Sequence, residues 1–291
     1  MIDGLLVVDK PAGMTSHDVV ARCRRIVGQR RIGHAGTLDP GATGVLLVGL
    51  GRATRLMRYI AELQKSYVGE LVLGRTTTTL DDEGDTVAVF DMTKVELVDV
   101  QIAAAKFVGD IQQIPPMVSA VKVGGQRLHE LARQGLEVER QARPVTVYRY
   151  DVVEGTEDGV YRIAVDCSSG TYVRTLAADV GEALGGGAHL RKLRRTAIGG
   201  FGVDSAHSLE SLENEFRPSV RTPAEMVNHL SKVVVGQDIA AMVSHGKQLP
   251  AEIFADAGDG PWAVVDGLGS LLAVYEEGRN GPKAGVVLAA H

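Results

Sequence analysis

The sequence predicts a mixed α+β fold with a largely antiparallel sheet, followed by a small β-rich domain. Apolar runs of strand character alternate with helix-like segments of 3.6-residue spacing but show no regular βαβ order, which argues against a doubly wound sheet. The chain has 291 residues, more than one domain usually contains. Its last part consists of short apolar runs separated by glycine-rich turns. We therefore predict one domain over residues 1–228 and a second over 229–291.

Composition and charge exclude several classes of protein. Hydrophobic residues make up 45% of the chain and charged residues 23%, as in ordinary globular proteins. No apolar run approaches the ~18 residues of a membrane-spanning helix, and the first residues lack a secretory signal, so we expect a cytoplasmic protein without membrane contact. The net charge of −5 argues against a protein that simply coats nucleic acid. Two acid-free basic clusters, 21–31 and 188–195, nevertheless predict local attraction for phosphates.

The sequence carries no pattern of a metal or cofactor site. Cys23 and Cys167 are too few and too far apart for a zinc cluster, so we expect two buried thiols. The glycine-rich stretch 31–44 lacks the Gly-Lys-Ser/Thr ending of a phosphate-binding loop. We therefore expect neither metal nor cofactor.

Local patterns assign the first elements in order. A strand over 4–9 is stopped by Pro11 and Gly13. A helix capped by Thr15 or Ser16 follows, and Gly28 ends it. One face of that helix is apolar, with Val19, Val20, Cys23, Ile26 and Val27. After the glycine-rich loop we predict a strand over 45–50 and a helix over about 53–63.

The remaining elements follow from the same patterns. We predict strands over 67–73, 86–90, 117–123, 144–153, 161–167 and 193–198, and helices over 95–107, 127–134 and 172–184. Pro218 and Pro223 mark a boundary within 218–232. Beyond it we predict short strands over 233–235, 262–265, 271–275 and 286–289.

The stretch around Asp39 contains the candidate chemistry. Asp39 lies between Thr37 and Pro40 in a loop whose glycines permit close approach of a ligand to the backbone. Two interpretations remain open from these residues alone. Asp-Pro-Gly commonly starts a turn, and His34 has the profile of a hydrogen-bonded structural histidine. The alternative is that Asp39 is a reactive carboxylate.

Several motifs resemble those of bacterial TruB-type tRNA pseudouridine synthases, in the same order. The loop HAGTLDPGATG (34–44) resembles the family's signature loop. Further motifs are GLLVVDKPAGMTS (4–16), PPMVSAVK (115–122), RLHELARQG (127–135) and CSSGTYVRTL (167–176). Together they cover most of residues 4–200. The resemblance implies a pseudouridine-synthase fold with a small C-terminal domain of PUA type.

The resemblance also implies a mechanism without cofactor. Asp39 matches the family's catalytic carboxylate, which either attacks covalently or removes a sugar proton while uracil leaves. Arg174 matches the arginine that pairs with it, and we expect its guanidinium to offset the rise in pKa that burial causes. Tyr67 matches the tyrosine that packs on the flipped base.

Further residues match positions around the family's substrate. Tyr172, Leu193 and Asp81 are candidates for the wall of the pocket, although each also suits a core or turn position. The resemblance implies that His34 fills the space left by flipped nucleotides. Lys10 either supports the sheet below the site or contacts phosphate.

The implied substrate is uridine 55 in the T arm of tRNA. Segment 115–143 resembles an insertion that closes over RNA, and its cations are Lys122, Arg127, Arg133, Arg140 and Arg143. The C-terminal module is acidic, which departs from an RNA-binding role. We expect a monomer with no obligate protein partner. The basic clusters would position the RNA backbone.

Two other functions fit this sequence less well. An Asp-nucleophile hydrolase or phosphotransferase would need a second carboxylate two residues after Asp39, where Gly41 stands. A non-catalytic RNA-binding scaffold would not need Asp39, Tyr67 and Arg174 together.

Overall fold

The computed structural model describes residues 1–119 and 121–288, and only the backbone of Lys122, Arg127, His129 and Arg133. In these ranges we find no helix that is long and apolar enough to span a bilayer. Several predictions therefore fall outside the described residues. They are the contacts of the Lys122, Arg127 and Arg133 side chains with RNA, the centre of the strand predicted over 117–123, and the end of the strand predicted over 286–289.

Strands and helices are interspersed along the chain. The strands are β1 (Gly4–Lys10), β2 (Ile32–Ala35), β3 (Thr43–Leu50), β4 (Lys65–Leu73), β5 (Arg75–Thr77), β6 (Thr86–Val89), β7 (Gly109–Gln113), β8 (Lys122–Val123), β9 (Gln126–Arg127), β10 (Arg143–Glu154), β11 (Val160–Cys167), β12 (Ala188–Ile198), β13 (Phe201–Gly202), β14 (Ser231–Val234), β15 (Trp262–Val265), β16 (Leu271–Glu276) and β17 (Lys283–Val287). The α-helices are α1 (Ser16–Val27), α2 (Met57–Ala61), α3 (Leu97–Ala105), α4 (Leu128–Arg133), α5 (Val173–Ala183), α6 (Leu209–Asn214), α7 (Pro223–Met226) and α8 (Gln237–Ser244). Short 3-10 helices span Gly51–Leu56, Val203–Ser205, Arg217–Ser219 and Ala251–Phe254.

The main sheet has the strand order β1-β3-β12-β4-β11-β10-β7. Neighbouring strands in this order run antiparallel, except that β3 and β12 run parallel. β2 pairs with β3, and β13 pairs with β12. The predicted mixed, largely antiparallel α+β architecture is confirmed.

Helix α1 begins and ends where its sequence predicts. The Thr15 side chain accepts from the Asp18 N–H, and Asp18 bonds back to Thr15, which satisfies groups left open at the helix start. Gly28 ends the helix at φ 71°, in the left-handed region that glycine adopts readily. Val19, Val20 and the free thiol of Cys23 are buried, so the apolar face forms part of the core.

The junction of β3 and β12 depends on a glycine and a bulge. Gly44 has φ 102°, and a side chain there would lie 2.1 Å from the Arg195 carbonyl oxygen. The register between β12 and β4 shifts between Arg191 and Arg194, where Lys192 has φ 53°. A bulge re-aims side chains locally, and here it directs Leu193 into a cavity beside Asp39.

Three predicted elements differ from the structure. The segment 31–44, whose glycine content predicts a loop, contains strand β2, which pairs with β3. The predicted helix over 53–63 is a 3-10 turn followed by the short α2; the Thr54 hydroxyl bonds back to the Gly51 carbonyl at 2.8 Å. The predicted strand 117–123 is wrong for Met117 to Ser119, because the Val118 carbonyl accepts from Arg174 instead of a neighbouring strand.

The C-terminal residues form a separate four-stranded sheet, β14-β15-β16-β17. This sheet agrees with the predicted β-rich module and is consistent with a PUA-like fold. Helix α8 was not predicted from the sequence. Val265 and Val274 of this sheet pack in one core with Leu5 and Leu47 of the main sheet, so the two sheets share apolar contacts. The division at residue 228 stays a prediction.

Candidate active site

A cavity of about 260 Å³ opens beside Asp39. Its walls come from the loop after β2, the start of α5, strand β4 and the bulge of β12. Five of the predicted site residues line it: Asp39, Tyr67, Tyr172, Arg174 and Leu193. The structure thus brings together side chains that lie far apart in the sequence.

The loop that carries Asp39 is held by a buried arginine. Arg195 is 1% exposed, and its guanidinium donates to the carbonyl oxygens of Val45 at 2.7 Å and Gly36 at 2.8 Å. Burying a charge is costly unless hydrogen bonds compensate it, and here backbone carbonyls supply them. Arg195 therefore fixes the beginning of the loop to β3.

Two more buried side chains hold the rest of the loop. The Ser16 hydroxyl accepts from the Leu38 N–H at 2.9 Å and donates to the Leu38 carbonyl at 3.2 Å. The Lys10 ammonium donates to the carbonyl oxygen of Pro40 at 3.0 Å, and also to those of Pro11 and Met14. The backbone on both sides of Asp39 is thus fixed by β1, α1 and β12.

Arg174 lies in the first turn of α5 and faces Asp39. Its Nη2 is 3.0 Å from Asp39 Oδ2 and donates to the Val118 carbonyl at 2.8 Å. Its Nη1 lies 3.5 Å from Asp81 Oδ2 and donates to the Thr79 carbonyl at 3.4 Å. The Arg174 side chain is 5% exposed, so the guanidinium is a fixed positive group between two carboxylates.

The pKa of the Asp39 carboxyl lies above its ordinary value of 3.8. The carboxylate opens to the cavity, with 39% of its side chain exposed, but surrounding protein excludes much of the bulk solvent, and this burial raises the pKa. Arg174 lowers it, Asp81 raises it, and Lys10 and Arg195 lower it. Arg174 thus acts in the expected direction but does not cancel the rise in the pKa that burial causes.

Tyr67 lines the cavity from strand β4. It is 8% exposed, and burial raises the pKa of its hydroxyl, while the nearby Arg195 guanidinium lowers it. The phenol therefore stays protonated at neutral pH. Its ring is available as an aromatic surface against which a planar base can pack.

His34 and Lys10 do not belong to the cavity wall. His34, on β2, stacks edge-on against exposed His17 with ring centroids 5.3 Å apart, and burial lowers the pKa of its imidazole to about 4. It is therefore neutral at physiological pH. Lys10 is 0% exposed, and burial lowers its pKa to about 8. Of its two predicted roles, support below the site agrees with the structure and phosphate contact does not.

The charged side chains of the basic cluster at 188–195 are paired with acids or buried within the protein. Arg191 pairs with Glu70 and Glu157, and Lys192 also pairs with Glu70. Arg194 pairs with Asp9, and Arg195 is buried. These acids lie on other strands and loops, so the sequence of 188–195 alone does not show that its cations are paired. These ion pairs contribute to the fold, and Arg195 holds the Asp39 loop. The attraction of the cluster for phosphates stays a prediction.

Sequence reasoning missed the residues that hold the site. Arg195 is one of four lysine and arginine residues within 188–195, and the position of Ser16 predicts only a helix cap. Gln113 is buried at the end of β7 and bonds to the backbone of Tyr172. None of these three residues left a local signal; for Arg195, burial along β12 does not alternate and the pairing of that strand with β4 shifts at bulges on both sides of Arg194 and Arg195.

The arrangement suits proton or covalent chemistry on one planar ring. A carboxylate, a fixed guanidinium and an aromatic side chain meet at one cavity. Asp39 can act as a nucleophile or a base once it is ionised. Among the described residues, no group of three or more histidine, cysteine or acidic side chains is placed to hold a metal ion.

Family models and relatives point to the same family over almost all of the chain. The model for the N-terminal domain of TruB family pseudouridylate synthases matches residues 24–173, and that for the tRNA pseudouridylate synthase B C-terminal domain matches 174–240. The tRNA pseudouridine synthase B of Mycobacterium sp. (strain KMS) is 47% identical over 291 residues, covering 98% of this chain and 96% of the relative. That of Rhodococcus jostii (strain RHA1) is 45% identical over 293 residues, covering 99% and 94%.

Two solved structures share the fold over almost all of the chain. One is a Cbf5–Nop10–Gar1 complex, with a TM-score of 0.76 and 29% identity, covering 99% of this chain and 84% of that one. The other is an H/ACA RNP bound to a substrate RNA containing 2'-deoxyuridine, with a TM-score of 0.74 and 26% identity, covering 99% and 85%.

Proposed function

The chain belongs to the TruB family of pseudouridylate synthases, and from this premise we propose that it isomerises uridine 55 in the T arm of tRNA to pseudouridine, with Asp39 as the catalytic carboxylate. The resemblance seen in the sequence motifs is confirmed at the family level. The single observation that carries the assignment to Asp39 is its 3.0 Å contact with Arg174 at the wall of the cavity.

The reaction requires no external group. The bond between the ribose C1' and uracil N1 breaks, the base turns, and C1' joins uracil C5. The proton on C5 leaves, N1 gains a proton, and no electrons are exchanged with another molecule. Asp39 either bonds covalently to the substrate or removes a sugar proton, and both routes begin from the ionised carboxylate.

Arg174 has two tasks in this proposal. Its positive charge lowers the pKa of Asp39 in surroundings that raise it, which keeps a larger share of the carboxylate ionised at neutral pH. Its contacts with Val118 and Asp81 also fix the direction from which it meets Asp39. The pair is therefore preorganised before the substrate enters.

The uridine must leave the stacked T loop to reach Asp39. Unstacking costs a few kcal/mol, and packing the base against the Tyr67 ring recovers part of that cost. Tyr172 and Leu193 complete the walls, and Asp81 acts through Arg174. We assign His34 to contact with the RNA arm outside the cavity, where a neutral imidazole stacks without adding charge.

The partner that we propose is tRNA alone. The solved relatives include an assembly with Nop10 and Gar1, but the proposed reaction needs no group from a second protein. We keep the predictions of a monomer, of a cytoplasmic location and of an insertion over 115–143 that closes on the RNA. The acidic C-terminal sheet packs on the main sheet and is assigned no RNA contact here.

A direct test uses two short T-arm hairpins that differ only at the target base. The purified protein is incubated with each hairpin in chelator and without cofactor, and pseudouridine is mapped at single-nucleotide resolution. We expect modification at position 55 of the uridine hairpin and none in the cytidine control. Binding of both hairpins without modification would favour the RNA-binding scaffold and contradict the proposed function.

A further inference from the structure

Gln113 is a buried polar side chain that has no part in the mechanism above. It ends β7, is 3% exposed and lies outside the cavity wall. Its amide bonds twice to one residue: the Tyr172 N–H donates to Oε1 at 2.7 Å, and Nε2 donates to the Tyr172 carbonyl at 3.1 Å. Two bonds of opposite direction fix both the place and the rotation of a backbone segment.

The residue that Gln113 holds is the one at which α5 begins. Tyr172 is the N-cap of α5, and its own side chain makes no capping bond. Its carbonyl also accepts from the N–H groups of Thr175 and Leu176, both at 3.1 Å. The first turn of the helix is therefore anchored at Tyr172, and Arg174 lies in that turn.

The segment that begins at Gln113 also contacts the Arg174 side chain directly. Five residues after Gln113, the Val118 carbonyl accepts from Arg174 Nη2 at 2.8 Å. Pro115 and Pro116 lie between the two contacts, and proline restricts the backbone. One short, stiff stretch thus holds the backbone at the start of α5 and the guanidinium that projects from it.

We propose that Gln113 is a positioning residue for the isomerisation: by fixing Tyr172 it sets the orientation in which Arg174 meets Asp39. The inference rests on the function proposed above. Gln113 lies outside the cavity wall and does not contact Asp39, so its effect falls mainly on the chemical step and less on the affinity for RNA. A small displacement of a catalytic group can cost about 100-fold in rate.

The first test compares Gln113→Leu with Gln112→Leu. Gln112 precedes Gln113 on the same strand, but its side chain is exposed, so it is a matched control. For Gln113→Leu we expect kcat to fall by about 10-fold to 100-fold, with a much smaller change in KM and tRNA affinity. Gln112→Leu should retain wild-type values. An unchanged kcat for a folded Gln113→Leu protein would overturn the inference.

Gln113→Glu supplies a readout that loss of packing does not produce. A protonated glutamic acid can accept from the Tyr172 N–H and donate to its carbonyl, whereas the ionised form can only accept. The kcat of Gln113→Glu divided by the kcat of the wild type should therefore fall as pH rises. The ionisation of Asp39 occurs in both proteins, so it cancels in this ratio. A ratio independent of pH would contradict the proposal.

A double-mutant cycle identifies the residue through which Gln113 acts. If its effect passes through Arg174, Gln113→Leu costs little in an Arg174→Lys background. The same loss in both backgrounds would overturn the inference. An inactive wild-type protein would instead contradict the proposed function, so the two failures can be told apart.

Discussion

The two walls of the cavity that carry opposite charges are held in different ways. The wall with Asp39 is a loop whose backbone is bonded by buried side chains from three other elements, Lys10, Ser16 and Arg195. The wall with Arg174 is the start of a helix, bonded by the segment from Gln113 to Val118. The carboxylate is thus fixed by the core, whereas the guanidinium depends on the segment from Gln113 to Val118.

The largest effect in this comparison concerns Arg174. Arg174→Lys keeps the charge but loses the simultaneous contacts with Asp39, Asp81 and Val118, because an ammonium lacks the planar fork. We expect kcat to fall by about 100-fold to 1,000-fold, the range for losing one preorganised group. Single-turnover kinetics would measure it.

Arg149→Lys is the matched control for this substitution. Arg149 also pairs with two carboxylates, Asp151 and Asp166, but its side chain is 51% exposed. We expect its activity to stay at the wild-type value. Equal losses in the two variants would show that Arg174 has no special place in the site.

The second prediction tests how the Asp39 wall is held. Arg195→Met leaves the carbonyl oxygens of Gly36 and Val45 without their donor. An unsatisfied buried group costs about 1–3 kcal/mol, so we expect a similar loss in the free energy of unfolding, measured with urea. Arg194→Met should cost less than about 1 kcal/mol, because the Arg194–Asp9 pair is partly exposed. Similar losses of unfolding free energy in Arg195→Met and Arg194→Met would contradict the role of Arg195 in holding the Asp39 loop.

The raised pKa of the Asp39 carboxyl predicts how activity depends on pH. Because the pKa of Asp39 is raised and the reaction needs the ionised form, kcat/KM should fall on acidification with a midpoint above 3.8. Below that midpoint the expected fall is about tenfold per pH unit. A profile flat down to pH 4 in a protein that stays folded would contradict the raised pKa.

The smallest effect concerns stability. A carboxyl whose pKa is higher in the folded state makes the protein less stable as pH rises through that range, because the unfolded chain ionises more readily. Asp39→Asn should therefore raise the unfolding free energy at pH 7, by less than about 1 kcal/mol because solvent screens a partly exposed group. The difference should shrink on acidification. A less stable variant at pH 7 would show that Asp39 supports the fold.

Much of the fold followed from local sequence signals, whereas the support of the site did not. Helix α1 was predictable because its cap, apolar face and terminal Gly28 are all local. Arg195 and Gln113 were not, since their partners lie on distant segments and a charge or amide in a sequence does not reveal whether it is buried. Asp39, Tyr67 and Arg174 came from the resemblance to a family, and the structure brings them to one cavity.

The central claim is that the Asp39 carboxylate performs the chemical step on a flipped uridine. It is tested most directly by tritium release from tRNA labelled at uracil C5, comparing the wild type with Asp39→Asn while tRNA binding is followed in parallel. We predict release by the wild type and a loss of several orders of magnitude in the variant, with binding retained. Equal release by both proteins would contradict the claim.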